Sequence, residues 1–159
     1  MDFRVGFGYD SHRLEIGRKL FIGGIEIPFH KGAVAHSDGD ALIHAICDAL
    51  LGAAGLQDIG THFPDNDDQY KNIDSKRLLV KTKDLILQRQ WTINNIDATV
   101  VLEEPRLSPF KEHIKRCLAD LLGVDGDRIA IKAKSNEKMG DIGRGEGVAA
   151  FAAVTIGKQ

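Results

Sequence analysis

Asp10 and His12 are separated by one residue, and His44 follows much later in the chain. In an extended backbone the side chains at i and i+2 leave on the same face, so Asp10 and His12 can converge on one ion. His44 comes after the run His36-Ser37-Asp38-Gly39-Asp40, inside a helical pattern, and would complete the set from a helix. One carboxylate and two imidazoles suit Zn²⁺, for which three protein ligands and one open position are the usual catalytic arrangement. Taken alone, the Asp-x-His spacing is a weak signal, which solvated or hydrogen-bonded side chains fit better.

Three further segments carry groups able to bind a ligand. Asp58-Ile59-Gly60 and Phe63-Pro64-Asp65 flank a polar stretch with Asn66 and Asp67. Acids beside glycine can grip hydroxyls or a sugar, or simply form a solvated turn. Glu103-Glu104-Pro105-Arg106-Leu107-Ser108 lies between a strand pattern and a helix pattern, where exposed backbone can read a nucleobase edge or serve as a plain connection. In Lys132-Ala133-Lys134-Ser135-Asn136-Glu137-Lys138 a hydroxyl, a carboxylate and cations follow a strand. Such groups suit a phosphate with Mg²⁺, an ion commonly held by one or two carboxylates plus phosphate oxygens; a surface charge cluster is the alternative. The glycine-dense run from Gly140 to Gly147 lacks the Lys-Ser/Thr ending of a phosphate-binding loop and does not open a helix. It reads as a tight turn presenting Arg144 and Glu146.

The elements that must position these groups follow from periodicity. Residues 3–10 alternate as a strand thinned on one face by Gly6 and Gly8, and residues 20–22 and 25–27 form a hairpin across Gly23-Gly24. Ser37, Asp38 and Asp40 are N-cap candidates for a helix reaching residue 54 and stopped by Gly55. Its core stripe is Leu42, Ala45, Ile46, Ala49, Leu50 and Ala53, yet Ile43, Cys47, Leu51 and Ala54 are apolar on other sides. The polar stripe Asp40, His44 and Asp48 is narrow, which predicts a second covered face, as an oligomer contact would supply. Residues 61–75 read as a long loop of the kind that is functional or mobile, 75–90 and 109–122 as helices, and 97–102, 128–135 and 148–156 as strands. The expected fold is α+β, a single domain over residues 1–159, with a four-stranded mixed sheet, helices on one face and a small hairpin.

Composition narrows the partners. The chain has 159 residues, 43% of them hydrophobic, enough for one core. Lys and Arg number 21 against 23 Asp and Glu, so no global field attracts a polyanion and nucleic acid is not an expected partner. No run approaches the roughly 20 apolar residues of a membrane helix, and no leader pattern opens the chain, so a soluble, unprocessed protein is expected. Cys47 and Cys117 form no Cys-x-x-Cys pair, which fits a reducing compartment.

Five blocks, Gly-Tyr-Asp-Ser-His-Arg (8–13), His-Ser-Asp-Gly-Asp-Ala-Leu-Ile-His-Ala (36–45), Asp-Ile-Gly-Thr-His-Phe-Pro-Asp (58–65), Lys-Ala-x-x-x-Glu-Lys-x-Gly (132–140) and Gly-Arg-Gly-Glu-Gly (143–147), together resemble the 2-C-methyl-D-erythritol 2,4-cyclodiphosphate synthase family of non-mevalonate isoprenoid biosynthesis. The resemblance runs over nearly the whole chain, in the right order. It implies a homotrimer with active sites between subunits, using Zn²⁺ and a Mg²⁺ or Mn²⁺. The implied substrate is 4-diphosphocytidyl-2-C-methyl-D-erythritol 2-phosphate, which is cyclised with loss of CMP. It also implies location in a bacterial cytoplasm or a plastid stroma.

By this resemblance Asp10, His12 and His44 hold zinc, Glu137 holds the second metal, and His36 and Ser135 stabilise the transition state. Ser37 and Phe63, Pro64, Asp65, Asn66 and Asp67 contact the methylerythritol phosphate, Asp58, Ile59 and Gly60 bind ribose, and backbone from Leu102 to Ser108 reads cytosine. Ser11, Ala133, Lys134, Asn136 and Asp141 belong to the wider set of implied substrate contacts. Arg144 and Glu146 line a central channel that holds isoprenoid diphosphates in family members. Two departures stand out: Asp141 replaces an aromatic residue frequent at the channel, and Lys134-Ser135-Asn136 replaces a threonine-rich run. The serine keeps a hydroxyl, whereas the carboxylate would disfavour an apolar diphosphate. Two other readings remain at this point, a zinc hydrolase with Asp40 or Asp65 as base and a non-enzymatic trimer that binds a diphosphate.

Overall fold

The computed structural model describes residues 2–158. Strand β1 (Asp2–Ile16) separates two kinds of side chain. Gly6, Gly8 and Leu14 are buried on one face, while Phe3, Val5, Phe7 and Tyr9 are exposed on the other. The glycines make room for helix α1 (Ala41–Ala53), because a methyl added at Gly6 would stand 1.9 Å from the carbonyl oxygen of Ala49. Small residues on both sides thus bring helix backbone onto strand backbone, and β1 aims Asp10 and His12 at the helix that carries His44.

The hairpin of β2 (Leu20–Ile22) and β3 (Ile25–Ile27) forms as expected. Helix α2 (Ile59–His62) is one turn long, α3 spans Ser75–Leu87, and α4 spans Lys111–Leu122. Gly123 closes α4 in the left-handed region with φ 69°, the role glycine serves without a Cβ penalty. The other strands are β4 (Lys31–Ala33), β5 (Thr92–Val101), β6 (Ile129–Lys134) and β7 (Gly147–Lys158). The main sheet has the order β4-β1-β7-β5-β6, with β5 and β6 parallel and the other pairs antiparallel. Helices α1 and α4 pack on one face, and α3 packs against both helices.

The mixed sheet with helices on one face agrees with expectation, but it has five strands rather than four. The added strand, β4, is three residues long and centred on Gly32, too short to alternate; it pairs with the far half of β1 through Leu14 and Ala33. That half of β1 was hidden by polar residues, since Asp10 to Arg13 break the apolar rhythm while the backbone stays extended. The span 61–75 is not a plain loop: α2 opens it and a 3-10 turn at Asp68–Tyr70 folds its middle.

Helix α1 needs no oligomer contact for its second apolar face. Leu42, Ile43, Ile46, Cys47, Leu50 and Leu51 are fully buried within this chain, between the sheet on one side and α3 on another. Periodicity registers that a face is apolar but not what covers it. Among the described residues no helix is long and apolar enough to cross a membrane.

Candidate active site

Asp40 places the site before any ligand group is considered. Its carboxylate is the N-cap of α1, accepting the Ile43 N–H at 3.0 Å, and it also accepts the N–H groups of Gly23 and Gly24 at 2.9 and 2.7 Å. The residue that starts the helix therefore clamps the β2–β3 turn to it. Burial pushes its pKa up while the three N–H donors pull the other way. Fully buried and committed to backbone, Asp40 is not available as the base of a zinc hydrolase.

The three sequence-distant groups converge. Asp10 Oδ2 lies 2.8 Å from His12 Nε2 and 2.9 Å from His44 Nδ1, and the two ring nitrogens are 3.3 Å apart. Zinc bonds of about 2.0–2.1 Å in a tetrahedron need ligand atoms about 3.3 Å apart, so this slightly contracted triangle fits such an ion. Among the described residues it is the one cluster of three or more acid, His or Cys side chains close enough to share a metal. Burial raises the Asp10 carboxyl, but hydrogen bonds and charge from His12 and His44 outweigh it and bring its pKa down to about 2. Burial lowers His44, and the hydrogen bond and charge of Asp10 more than reverse this, so its pKa is raised.

The cluster sits at one side of a pocket of about 360 Å³ that also takes in His36, Ser37, Ile59, Gly60, Phe63 and Asp65. Asp58 caps α2 by accepting the Thr61 N–H at 2.9 Å and its hydroxyl at 2.8 Å, which turns the Ile59–Gly60 backbone toward the pocket; the Thr61 hydroxyl lowers its pKa. Asp48, one turn beyond His44, accepts the Ile59 N–H at 2.7 Å. Pro64, Asn66 and Asp67 are not in this lining, and Asp67 instead accepts from Gln69 N at 3.1 Å. Ser11 points to the opposite face of β1, into a hollow with Arg13, Asp141 and Glu146.

A second pocket, about 510 Å³, is lined by Leu102, Glu103, Glu104, Pro105, Arg106, Leu107, Ser108, Ala133, Lys134, Ser135 and Glu137. It shares no lining residue with the first. Its floor is braced by Glu103, whose carboxylate accepts the N–H groups of Asn136 at 3.0 Å and Lys138 at 3.2 Å. Glu137 and Lys138 both have positive φ, 51° and 60°, a conformation that side chains disfavour and that the Glu103 brace helps hold. The Ser135 hydroxyl donates to Glu137 Oε1 at 3.0 Å.

The glycine-rich run contains one helical turn, α5 (Gly140–Gly143), where only a tight turn was expected. Arg144 pairs with both Asp141 and Glu146, the latter at 2.9 Å through Nε.

Sequence reading missed Ser75 and understated Asp38. Ser75 is fully buried, its Oγ 2.9 Å from His44 Nε2 and bonded to Asp38 Oδ1. Ser75 carried no signal beyond opening a helix, because its partners lie more than thirty residues away.

A one-domain sheet backed by helices, with an Asp-His-His cluster able to hold a metal beside a pocket of about 360 Å³, is the framework of a small enzyme. A family model described as the YgbB family matches residues 3–157, and the chain belongs to that family. The 2-C-methyl-D-erythritol 2,4-cyclodiphosphate synthase of Bacteroides fragilis is 52% identical over 158 residues, covering 99% of each chain. A solved 2C-methyl-D-erythritol-2,4-cyclodiphosphate synthase in a CDP-bound form is 38% identical with a TM-score of 0.90, over 97% of this chain and 100% of that one. A Plasmodium falciparum IspF in complex with CDP is 33% identical with a TM-score of 0.87, over 99% of this chain and 97% of that one.

Proposed function

We propose that this chain is a metal-dependent cyclase that converts 4-diphosphocytidyl-2-C-methyl-D-erythritol 2-phosphate to 2-C-methyl-D-erythritol 2,4-cyclodiphosphate and CMP. The observation that carries the reading is the meeting of Asp10 Oδ2, His12 Nε2 and His44 Nδ1 within 3.3 Å of one another beside His36 and Ser37, in a chain of this family. Of the two bases a zinc hydrolase could use, Asp40 is committed to backbone and Asp65 lines the same pocket as His12 and His44, but neither that reading nor a binding module is favoured in a chain of this family.

In the reaction an oxygen of the 2-phosphate attacks the β-phosphorus, the bond from that phosphorus to the bridging oxygen breaks, and CMP leaves with the electron pair. Nucleophile and electrophile are both anionic, so the obstacle is to bring them together and hold them in line; positioning and electrostatics dominate such transfers. Zn²⁺ on Asp10, His12 and His44 and Mg²⁺ or Mn²⁺ on Glu137 would supply positive charge for the phosphate oxygens. The chain's own groups do the rest. His36 and Ser135 donate to oxygens that gain charge, Ser37 and the segment from Phe63 to Asp67 hold the methylerythritol phosphate, Asp58 to Gly60 hold ribose, and the Leu102–Ser108 backbone holds cytosine. Because both reacting groups belong to one substrate, the translational entropy is already prepaid, and the chain's contribution is to hold the folded near-attack conformer. The attacking phosphate is already ionised near neutral pH, so no general base is needed.

We further propose a homotrimer with each site shared between subunits. The two pockets share no lining residue, which suits a site made from the metal pocket of one subunit and the second pocket of its neighbour. The open sheet face presents Phe3, Val5, Phe7 and Tyr9 at 50–66% exposure, with the Phe151 ring tilted against Tyr9 at 5.1 Å between centroids; a contiguous apolar patch of this kind marks an interaction surface. An isoprenoid diphosphate in the central channel would meet Arg144 already paired to two carboxylates. A cytoplasmic or stromal location fits the free cysteines Cys47 and Cys117.

The test is incubation with the cytidylyl substrate, Zn²⁺ and Mg²⁺ in ¹⁸O-water, followed by phosphorus NMR and mass spectrometry. Cyclic diphosphate and unlabelled CMP are expected. A solvent oxygen in an acyclic product would make the protein a hydrolase.

A further inference from the structure

The hydroxyl of Ser75 has one proton, and its two neighbours decide where that proton goes. Asp38 is a carboxylate and can only accept; its Oδ1 takes the Ser75 hydroxyl and its Oδ2 takes the Ser75 N–H at 2.9 Å. Ser75 Oγ is left with lone pairs for its other contact, His44 Nε2 at 2.9 Å. That ring nitrogen must then carry the hydrogen, which leaves the lone pair on Nδ1, the atom facing Asp10 and His12. Ser37 Oγ, 3.3 Å from the same Nε2, also cannot donate to it, so its hydroxyl proton stays available for a substrate phosphate.

We infer that Ser75, oriented by Asp38, is a positioning residue that fixes the ring and tautomer of His44 so that Nδ1 faces the metal. Outer partners of this type orient metal-bound imidazoles and raise their basicity. The link also spans segments. Ser75 is the first residue of α3 and ends the stretch that lines the pocket with Phe63, Tyr70 and Ile73. Two backbone bonds seat the same stretch on the His36–Asp38 segment: Asn72 N to His36 O at 2.9 Å and Asp38 N to Ile73 O at 3.2 Å. The wall of the substrate pocket and the orientation of a metal ligand therefore share one anchor.

The inference rests on the metal reading of the Asp10–His12–His44 cluster, and two measurements separate the two. In the zinc-loaded, unaltered full-length chain, ¹⁵N NMR of His44 should show metal on Nδ1 and an exchange-protected proton on Nε2. Zinc on Nε2, or a proton on Nδ1, overturns the role of Ser75 without any variant. Failure of the unaltered chain to bind zinc at all overturns the metal reading instead. In the second measurement, zinc affinity is read by competition with a chromophoric chelator for Ser75→Ala and Asp74→Ala. Ser75→Ala keeps its backbone N–H for Asp38 and should bind zinc about 10- to 100-fold more weakly. Asp74→Ala removes the cap of α3, which accepts from Lys76 N, without touching His44, and should bind as the unaltered chain does. Equal affinity in Ser75→Ala, or an equal loss in Asp74→Ala, overturns the inference.

Discussion

Gly8 lies against the carbonyl of Ala45, the residue after His44, so closely that a methyl on it would stand 1.9 Å from that oxygen. The glycine thus sets the distance between the strand carrying Asp10 and His12 and the helix carrying His44. Gly8→Ala should push α1 off the sheet, destabilising the fold by about 1–3 kcal/mol or more and weakening metal binding. Urea denaturation and chelator competition measure both; an unchanged zinc affinity would refute this coupling.

His44→Ala should abolish turnover while leaving assembly intact. The ring is part of the metal triangle, whereas the open apolar face is built from β1 and β7. CMP release and sedimentation velocity give the two readouts, and loss of the oligomer would point to a structural metal.

Acid should strip the metal. His44 has a pKa raised above its ordinary 6.5, so protons compete for Nδ1 from above that value downward, and zinc affinity should fall steadily as the pH drops through that range. In the metal-free protein the signs differ. The raised His44 contributes stability that is full below 6.5 and lost as pH rises through its folded pKa. Asp10, lowered from 3.8 to about 2, contributes stability present above 3.8 and lost as pH falls through about 2. Thermal melts with and without chelator across pH 2–9 separate these curves.

Glu103→Ala should release the N–H groups of Asn136 and Lys138 and let the left-handed residues Glu137 and Lys138 relax. Losing a charged acceptor for two donors costs on the order of 2–3 kcal/mol locally. We expect weaker Mg²⁺ or Mn²⁺ dependence and a raised KM for the cytidylyl substrate, with zinc affinity unchanged.

Asp141→Phe should free Arg144 from one of its two carboxylates and strengthen binding of an isoprenoid diphosphate, as read by calorimetry. Equal binding before and after would show that the Arg144 pairing does not control such binding.

Much of this protein was legible in one dimension, because a few physical rules act locally. Alternation marked the first half of β1 and the hairpin, the i, i+3, i+4 stripe marked α1, and a glycine marked the end of α4. The Asp-x-His spacing on an extended strand already placed two ligands on one face, and five ordered blocks of residue types carried the family. What the chain alone could not express is contact between segments far apart in order. The fifth strand was invisible because three residues around Gly32 have no rhythm of their own and exist only by pairing with β1. The cover over α1, the Asp40 clamp on the hairpin, and the Asp38–Ser75–His44 line likewise depend on groups brought together by packing. Local chemistry sets which side chains can bind a metal; only the glycine-thinned meeting of β1 and α1 sets the distance at which they do.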